Sequence, residues 1–515
     1  MSVTLSTRHR IRRSFGQINP PIEIPNLLKI QLDSFERFLQ RNVAPEQRDK
    51  RRGLEAVFRS VFPISDYSNS STLEYVQYRL GEPKHTVEEC RVRGVTYACP
   101  IRVALRLIVW EKEEGEEEVK QIRDIKEQDI YLGEIPLMTP TGSFIINGTE
   151  RVIVSQMHKS PGVFFGHDKG KGHSSGKLLY NARLIPQRGS WLDFEFDAKD
   201  LLYSRIDRRR KFPATVLLRA LGYTDEQLLE LFYPTETLDL SACENLETPV
   251  EEQTFYRLVD EQVTLDQKAT QDILSESGEV LVRANQRIHR RNLNRLMKAG
   301  VNRLETNFDE IRGRFLARDV HVDDQKIAEC NSIVTGELIK RLLEKKVQQV
   351  ALLYISPPAT AGPSFRDTLE LDRSISPEQS LIELYKKMKP GDPPTLDAAQ
   401  NMLQNFFFSE DRYSLSQVGR LKINEKLGLK EPLDKVVLTH RDILESVKYL
   451  LLLREGNAYT FIDDIVHLCN RRVRSVGELL ETQFRIGLIR MERTIKERMS
   501  LQLSLIHISE PTRPY

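Results

Sequence analysis

Trp191 is one of two tryptophans in the chain and follows the basic turn Gln187-Arg188-Gly189-Ser190. Downstream stand Asp207, Arg208, Arg209, Arg210 and Lys211. An indole plate beside guanidinium and ammonium groups can stack an unpaired base while the cations hold a phosphate backbone. From Gly133 to Lys211 short apolar strands alternate with glycine turns, so the basic side chains fall at turns and strand ends. By residue type alone, an isolated Trp also reads as a strand-face anchor and an arginine run as a solvated face.

Other chemistries fit less well. Lys169-Gly170-Lys171-Gly172-His173-Ser174-Ser175-Gly176-Lys177 has the flavour of a phosphate loop. Lys171 stands where the first glycine belongs, and Leu178 stands where Ser or Thr should meet magnesium. The stretch is expected to be a flexible, basic surface loop. Two-metal nucleotidyl transfer needs converging carboxylates. The nearest pair, Asp463-Asp464, would point to opposite faces of a strand. The five cysteines, Cys90, Cys99, Cys243, Cys330 and Cys469, contain no CxxC pair, which argues against a zinc site and fits a reducing cytoplasm.

The chain has 515 residues, enough for two to four domains. Its 76 Lys+Arg nearly balance 74 Asp+Glu, so any nucleic-acid footprint must be local. Arg8, His9, Arg10, Arg12 and Arg13 form a basic arm without the apolar core of a signal peptide. The leucine run Leu450–Leu453 is too short to span a bilayer. A cytoplasmic protein with no membrane partner is expected.

The elements around these residues are mixed. Leu28, Leu32, Phe35 and Leu39 share one face of a predicted helix from Asn26. Leu73–Leu80 and Arg102–Trp110 alternate as strands, and the acidic run Glu111–Glu118 reads as a hairpin tip. Asn147-Gly148 predicts a tight hairpin between Phe144-Ile145-Ile146 and Val152-Ile153-Val154. Strands are expected from Leu178 to Ile206. Pro213 then opens a helix closed by Gly222, and Thr224 with Gln227 forms a capping box for the next. Leu238–Val350 is charged and gives few sharp signals, as an insertion or mobile subdomain would. Helices dominate after Pro377, with a loop at Gly391-Asp392-Pro393-Pro394. Val476, Leu480, Phe484, Leu488, Met491, Ile495 and Met499 recur at the spacing of one long amphipathic helix.

Several segments together resemble the β-subunit family of bacterial DNA-directed RNA polymerases. They are the Gly133–Lys211 block, Asn26–Phe35, Phe58–Pro63, Tyr78–Pro83, Pro390–Thr395, Phe407–Tyr413 and Asn470–Glu478. The resemblance runs from about Arg8 to Leu501 and is weakest in Leu238–Val350. It implies an α+β, multidomain fold: a strand-rich protrusion with helices, and a lobe of strands and helices. The implied layout is a basic arm at 1–25, protrusion at 26–158, lobe at 159–455 with a variable insertion at about 238–350, a return to the protrusion and start of the fork at 456–501, and a non-native tail at 502–515. The Ile-His-Ile end with its two prolines is expected to be disordered.

The resemblance also implies roles. Protrusion and lobe would line a cleft that holds downstream duplex and the non-template strand. Arg151 and Lys159 would bring positive charge to the cleft, Trp191 would stack an unpaired base, and Asp207 would shape its pocket. Arg208, Arg209, Arg210 and Lys211 would meet the backbone, with Arg471, Arg472 and Arg474 near the fork. Val154 and Gln156 would border the drug pocket that rifamycins fill in the family. No catalytic residue and no cofactor is expected in this chain; the Mg2+ of the whole enzyme would be held by the other large subunit. The implied partners are β′, the α dimer, ω, a sigma factor, template and non-template DNA, and nascent RNA. The alternative is a stand-alone, non-catalytic nucleic-acid-binding module. One departure stands out: Val466-His467-Leu468-Cys469 replaces the family's Asp-His-Leu-Gly, removing an Asp of the non-template-strand pocket and a Gly that would tolerate positive φ.

Overall fold

The structure, a computed structural model, describes residues 26–508 except 113–119, 173, 242–248, 251–252, 266, 270, 275–279, 323–324, 357–360 and 375. The basic arm at residues 8–13, residues 113–118 of the acidic run and Cys243 therefore lie outside the described residues. Two compact units divide the rest. One comprises the described residues before Lys159 and after Arg471; the other is Lys159–Arg471. Antiparallel sheets with helices beside them make the fold α+β.

The first unit is built on an antiparallel meander of β1 (Ile64–Ser65), β2 (Ser71–Leu80), β3 (Ala98–Lys112) and β4 (Lys120–Pro136), in that spatial order. Helices Lys29–Leu39, Gly53–Val61 and Val476–Ile508 contribute Phe35, Phe38, Phe58, Val476 and Leu488 to its buried core. Phe38 turns inward, and Leu28 of the predicted apolar face stays exposed, because the helix begins only at Lys29. Gly477 lies so close to the first helix that a Cβ would sit 2.2 Å from the Ser34 carbonyl oxygen.

The hairpin of β5 (Phe144–Ile146) and β6 (Thr149–Arg151) turns at Asn147 and Gly148, with φ of 49° and 76°. Its second strand is Thr149–Arg151 rather than the predicted Val152–Val154, because a two-residue turn leaves no spacer between Ile146 and Thr149. The long C-terminal helix continues through Ile506-His507-Ile508, where disorder was expected. Nothing from Leu501 to Ile508 breaks a helix; Pro511 lies beyond it.

In the second unit β8 (Gly162–His167), β9 (Tyr180–Ile185), β10 (Leu192–Phe196), β11 (Leu202–Ile206) and β12 (Phe212–Pro213) form an antiparallel sheet ordered β12-β11-β10-β9-β8. β7 (Gln156–Lys159) leads into it. Phe165, Leu184, Phe194 and Ile206 are fully buried in a core shared with helices such as Ala214–Ala220 and His440–Arg454. Thr224 and Gln227 make the predicted capping box of the helix Asp225–Phe232. The charged segment Leu238–Val350 supplies most of a second sheet, ordered Arg303–Asn307, Thr254–Leu258, Thr235–Asp239, Gln349–Leu353. It has its own cores around Phe255 and Leu293.

Candidate nucleic-acid interface

Alternation along β9 and β10 decides which side chains leave the core. Ala182, Leu184, Leu192 and Phe194 are buried, so Arg183 and Asp193 project from the other face. They stand directly opposite each other in the ladder, and Arg183 Nε lies 2.6 Å from Asp193 Oδ1. Trp191 immediately precedes β10 and is half-buried.

The turn after β11 completes the cluster. Asp207 and Arg208 both take left-handed backbone, with φ of 47° and 59°, and the Arg209 amide donates to the Ile206 carbonyl at 2.9 Å. Asp tolerates this conformation better than Arg does. The Asp207 carboxylate accepts the Trp191 amide at 2.8 Å, and the Asp207 amide donates back to the Trp191 carbonyl at 3.0 Å. The turn thereby brings Arg208 to 5.1 Å from the indole centroid, with Arg183 at 5.7 Å.

Lys159 joins these cations. Burial pushes its ammonium below the usual lysine range, and Arg183, Arg208 and Arg471 push it the same way, while Asp193 partly offsets them. Around Lys159 three cations thus act against one carboxylate, Asp193, while the Asp207 carboxylate accepts a backbone amide. Such an excess of positive charge, partly desolvated, favours an anionic group such as a phosphate. The indole beside it offers a flat apolar face to a base.

Apart from Arg471, the other candidate residues have partners or places of their own. Arg209 turns away and donates to the carbonyl of Met388 at the end of the helix Pro377–Met388. Arg210 is exposed, and Lys211 lies 3.4 Å from Asp197 and over the Tyr203 ring. Arg471 Nε donates to the Ile465 carbonyl at 3.4 Å. In the first unit Arg151, Val154 and Gln156 are exposed. Arg472 and Arg474 both pair with Glu478, and Arg474 also donates to Thr482 Oγ1 at 3.0 Å. Arg183 and Asp193 were missed by sequence reasoning; alternation with the apolar residues beside them puts both off the core face, and their pairing across the ladder carries no signal in either strand alone.

The rejected phosphate loop has a physical explanation. The amides of Gly170, Gly172 and Leu179 donate to the Asp168 carboxylate at 3.0, 2.7 and 2.9 Å, so the chain's own anion occupies the cradle. These bonds hold the Asp168 carboxyl below the usual carboxylate range, the Leu179 amide most of all. They also anchor a segment expected to be flexible. Asp463 and Asp464 lie in a loop rather than in the expected strand, and Asp463 accepts the Phe165 amide at 2.8 Å and Lys426 Nζ at 2.7 Å. Cys469 sits in a 3-10 turn, Leu468–Asn470, without positive φ, so this backbone places no strain on the residue that replaces glycine.

Fold and cluster together define a multidomain α+β protein that carries a cationic surface around an indole. A family model described as RNA polymerase beta subunit matches residues 26–507. Curated relatives named DNA-directed RNA polymerase subunit beta are 50% identical in Myxococcus xanthus and 51% identical in Syntrophotalea carbinolica. Each alignment covers 98% of this chain and 36% of the relative. The chain belongs to the RNA polymerase beta subunit family and spans about a third of the length of the curated relatives it matches. No helix among the described residues is long and apolar enough to cross a membrane.

Proposed function

We propose that the chain acts as part of the β subunit of a DNA-directed RNA polymerase, which synthesises RNA on a DNA template from nucleoside triphosphates. Residues 26–158, with a return and the start of the fork at 456–501, serve as protrusion and residues 159–455 as lobe, and this part of the subunit holds downstream DNA and the non-template strand. Its partners are β′, the α dimer, ω and a sigma factor, in the cytoplasm, with nascent RNA in the same assembly. Catalytic Mg2+ belongs to the other large subunit, and the chain alone is inactive in nucleotidyl transfer.

The observation that carries this reading is the indole of Trp191 beside Arg183 and Arg208, with the Lys159 ammonium destabilised by burial first and then by the same arginines. In it Trp191 stacks an unpaired base of the non-template strand, Lys159 and Arg208 neutralise the adjoining phosphates, and Asp207 fixes the indole's backbone. The test is the lifetime of promoter open complexes formed by a complete enzyme carrying Trp191→Ala. Losing one stack worth about 1–3 kcal/mol shortens that lifetime about 5- to 150-fold, with the rate of nucleotide addition unchanged. Equal lifetimes would remove the stacking role.

A further inference from the structure

The first unit contains a cavity of about 380 Å³ between the loop that follows the helix Lys29–Leu39 and the end of β2. Arg41, Arg48 and Arg79 line it beside Asn42, and no Asp or Glu among the described residues does. The loop that carries Arg41 and Arg48 is clamped. Gln40 takes left-handed backbone at the helix end, with φ of 43°. Its buried side chain accepts the Asp49 amide at 2.7 Å and donates to the Asp49 and Arg52 carbonyls at 3.1 and 2.9 Å. Arg48 Nη1 donates to the Tyr78 carbonyl at 2.8 Å, and its guanidinium lies 3.9 Å from the centre of the Tyr78 ring. Arg79 is the next residue of β2, so that bond seats Arg48 beside it.

These cations lack counter-ions. Arg48 is 8% exposed, its Nε is buried without a hydrogen-bond partner, and it forms no ion pair among the described residues. Glu55, a buried carboxylate of the same core, pairs instead with Arg59 at 2.8 Å and accepts the Tyr75 hydroxyl at 2.6 Å. Arg41 also forms no ion pair among the described residues. Arg79 meets Asp129 at 3.5 Å, with both side chains exposed, a contact that contributes little. Of the acids nearest along the loop, Glu46 is exposed and off the cavity wall, and Asp49 approaches Arg52 at 3.6 Å.

A guanidinium taken out of water without a counter-ion costs stability, so the fold alone does not favour Arg48 here. An anion in the cavity supplies the missing charge, and planar guanidiniums match phosphate oxygens two at a time. Tyr78 is fully buried under Arg48, and the wall has no other aromatic ring on which a base could stack. We propose that this cavity is a site for a small oligophosphate, a di- or triphosphate group gripped by Arg41, Arg48 and Arg79. Its volume falls in the range of small-molecule sites. The proposal does not rest on the Trp191 cluster, which belongs to the other unit.

The test is isothermal titration calorimetry of the full chain with sodium tripolyphosphate at fixed ionic strength. Saturable binding is expected. Arg41→Gln/Arg79→Gln, at two exposed positions, should weaken it about 10- to 100-fold, with the circular dichroism spectrum unchanged. Arg41→Lys/Arg79→Lys should recover part of the affinity, since it keeps the charge and loses the paired hydrogen bonds. ATP in place of tripolyphosphate separates two sources of the group: tighter binding assigns the site to the phosphate tail of a nucleotide, and weaker binding to a free oligophosphate. No saturable binding by the parent chain overturns the proposal, and so does equal affinity in the parent and a folded Gln variant. Sodium sulfate binding as tightly as tripolyphosphate would likewise overturn it, because a general anion site would not select an oligophosphate.

Discussion

Trp191 and Asp207 are tied by two hydrogen bonds that run in opposite directions. The Trp191 amide donates to the Asp207 carboxylate at 2.8 Å, and the Asp207 amide donates to the Trp191 carbonyl at 3.0 Å. Asp207 holds φ of 47°, a conformation that Asp and Asn accept more readily than other side chains. Asp207→Ala removes an acceptor and leaves a β-carbon in left-handed backbone without compensation. We expect a loss of about 1–2 kcal/mol, read by urea denaturation of the chain, and a shortened open-complex lifetime in the complete enzyme. Asp207→Asn keeps both an acceptor oxygen and the backbone preference and should stay close to the parent. Equal losses in the two variants would show that the hydrogen bond does not position the indole.

Lys159 gives a pH signature. Its folded pKa lies below the ordinary value of 10.5, through burial first and then Arg183, Arg208 and Arg471. Between the folded and unfolded values the unfolded chain binds more protons, so this lysine's contribution to stability rises as pH climbs through that interval. Below the folded value the cost of holding the ammonium is fully present. A phosphate beside it reverses the balance and raises the pKa. NMR of the Lys159 side chain in a 13C-lysine-labelled chain should give a midpoint under 10.5 in the free protein and a higher one with duplex DNA present. A midpoint at or above the ordinary lysine value in the free protein would mean that Lys159 is neither buried nor crowded by these cations.

A second buried contact sets the stability of the unit that carries the cluster. Arg420 and Asp442 are both fully buried, with Arg420 Nη1 at 2.8 Å from each carboxylate oxygen. Arg420 Nε also donates to the Lys435 carbonyl at 2.8 Å, and Asp442 caps the helix His440–Arg454 through the Thr439 amide at 2.7 Å. Arg420→Met leaves a buried carboxylate without its partner and should cost about 3–5 kcal/mol. Adding Asp442→Leu should recover part of that loss, short of the roughly 1 kcal/mol held in the helix cap. Urea midpoints of the single and double variants decide it; a double variant no better than Arg420→Met would show that the charge is solvated after all.

Much of the fold was legible because its signals are local. Asn147-Gly148 turns a hairpin, Thr224 with Gln227 caps a helix, and the apolar spacing from Val476 runs as one helix. The candidate cluster was half legible. Trp191 and Arg208 could be singled out by type, and their approach to 5.1 Å depends on a left-handed turn that Asp207 hints at. Arg183 and Asp193 could not be paired in advance, because the register of β9 on β10 is set by the whole sheet rather than by either strand. The fate of Arg209 was invisible for the same reason: the Met388 carbonyl lies far along the chain. A run of like residues says how much charge is present and nothing about which member is held by a partner within the protein.

That last point separates two neighbours in one arginine run. Both are exposed, but Arg208 lies against the indole, whereas Arg209 hydrogen-bonds the last carbonyl of the helix Pro377–Met388. Arg208→Gln should therefore lower duplex affinity and make the log-log salt slope shallower by about 1, with the urea midpoint unchanged. Arg209→Gln should do the reverse: the slope stays, and stability falls by about 1–2 kcal/mol because a helix-terminal carbonyl loses a charged donor. Anisotropy titrations and urea melts on the two single variants measure both quantities. A slope change in Arg209→Gln without loss of stability would place its guanidinium on DNA and sever it from the helix end.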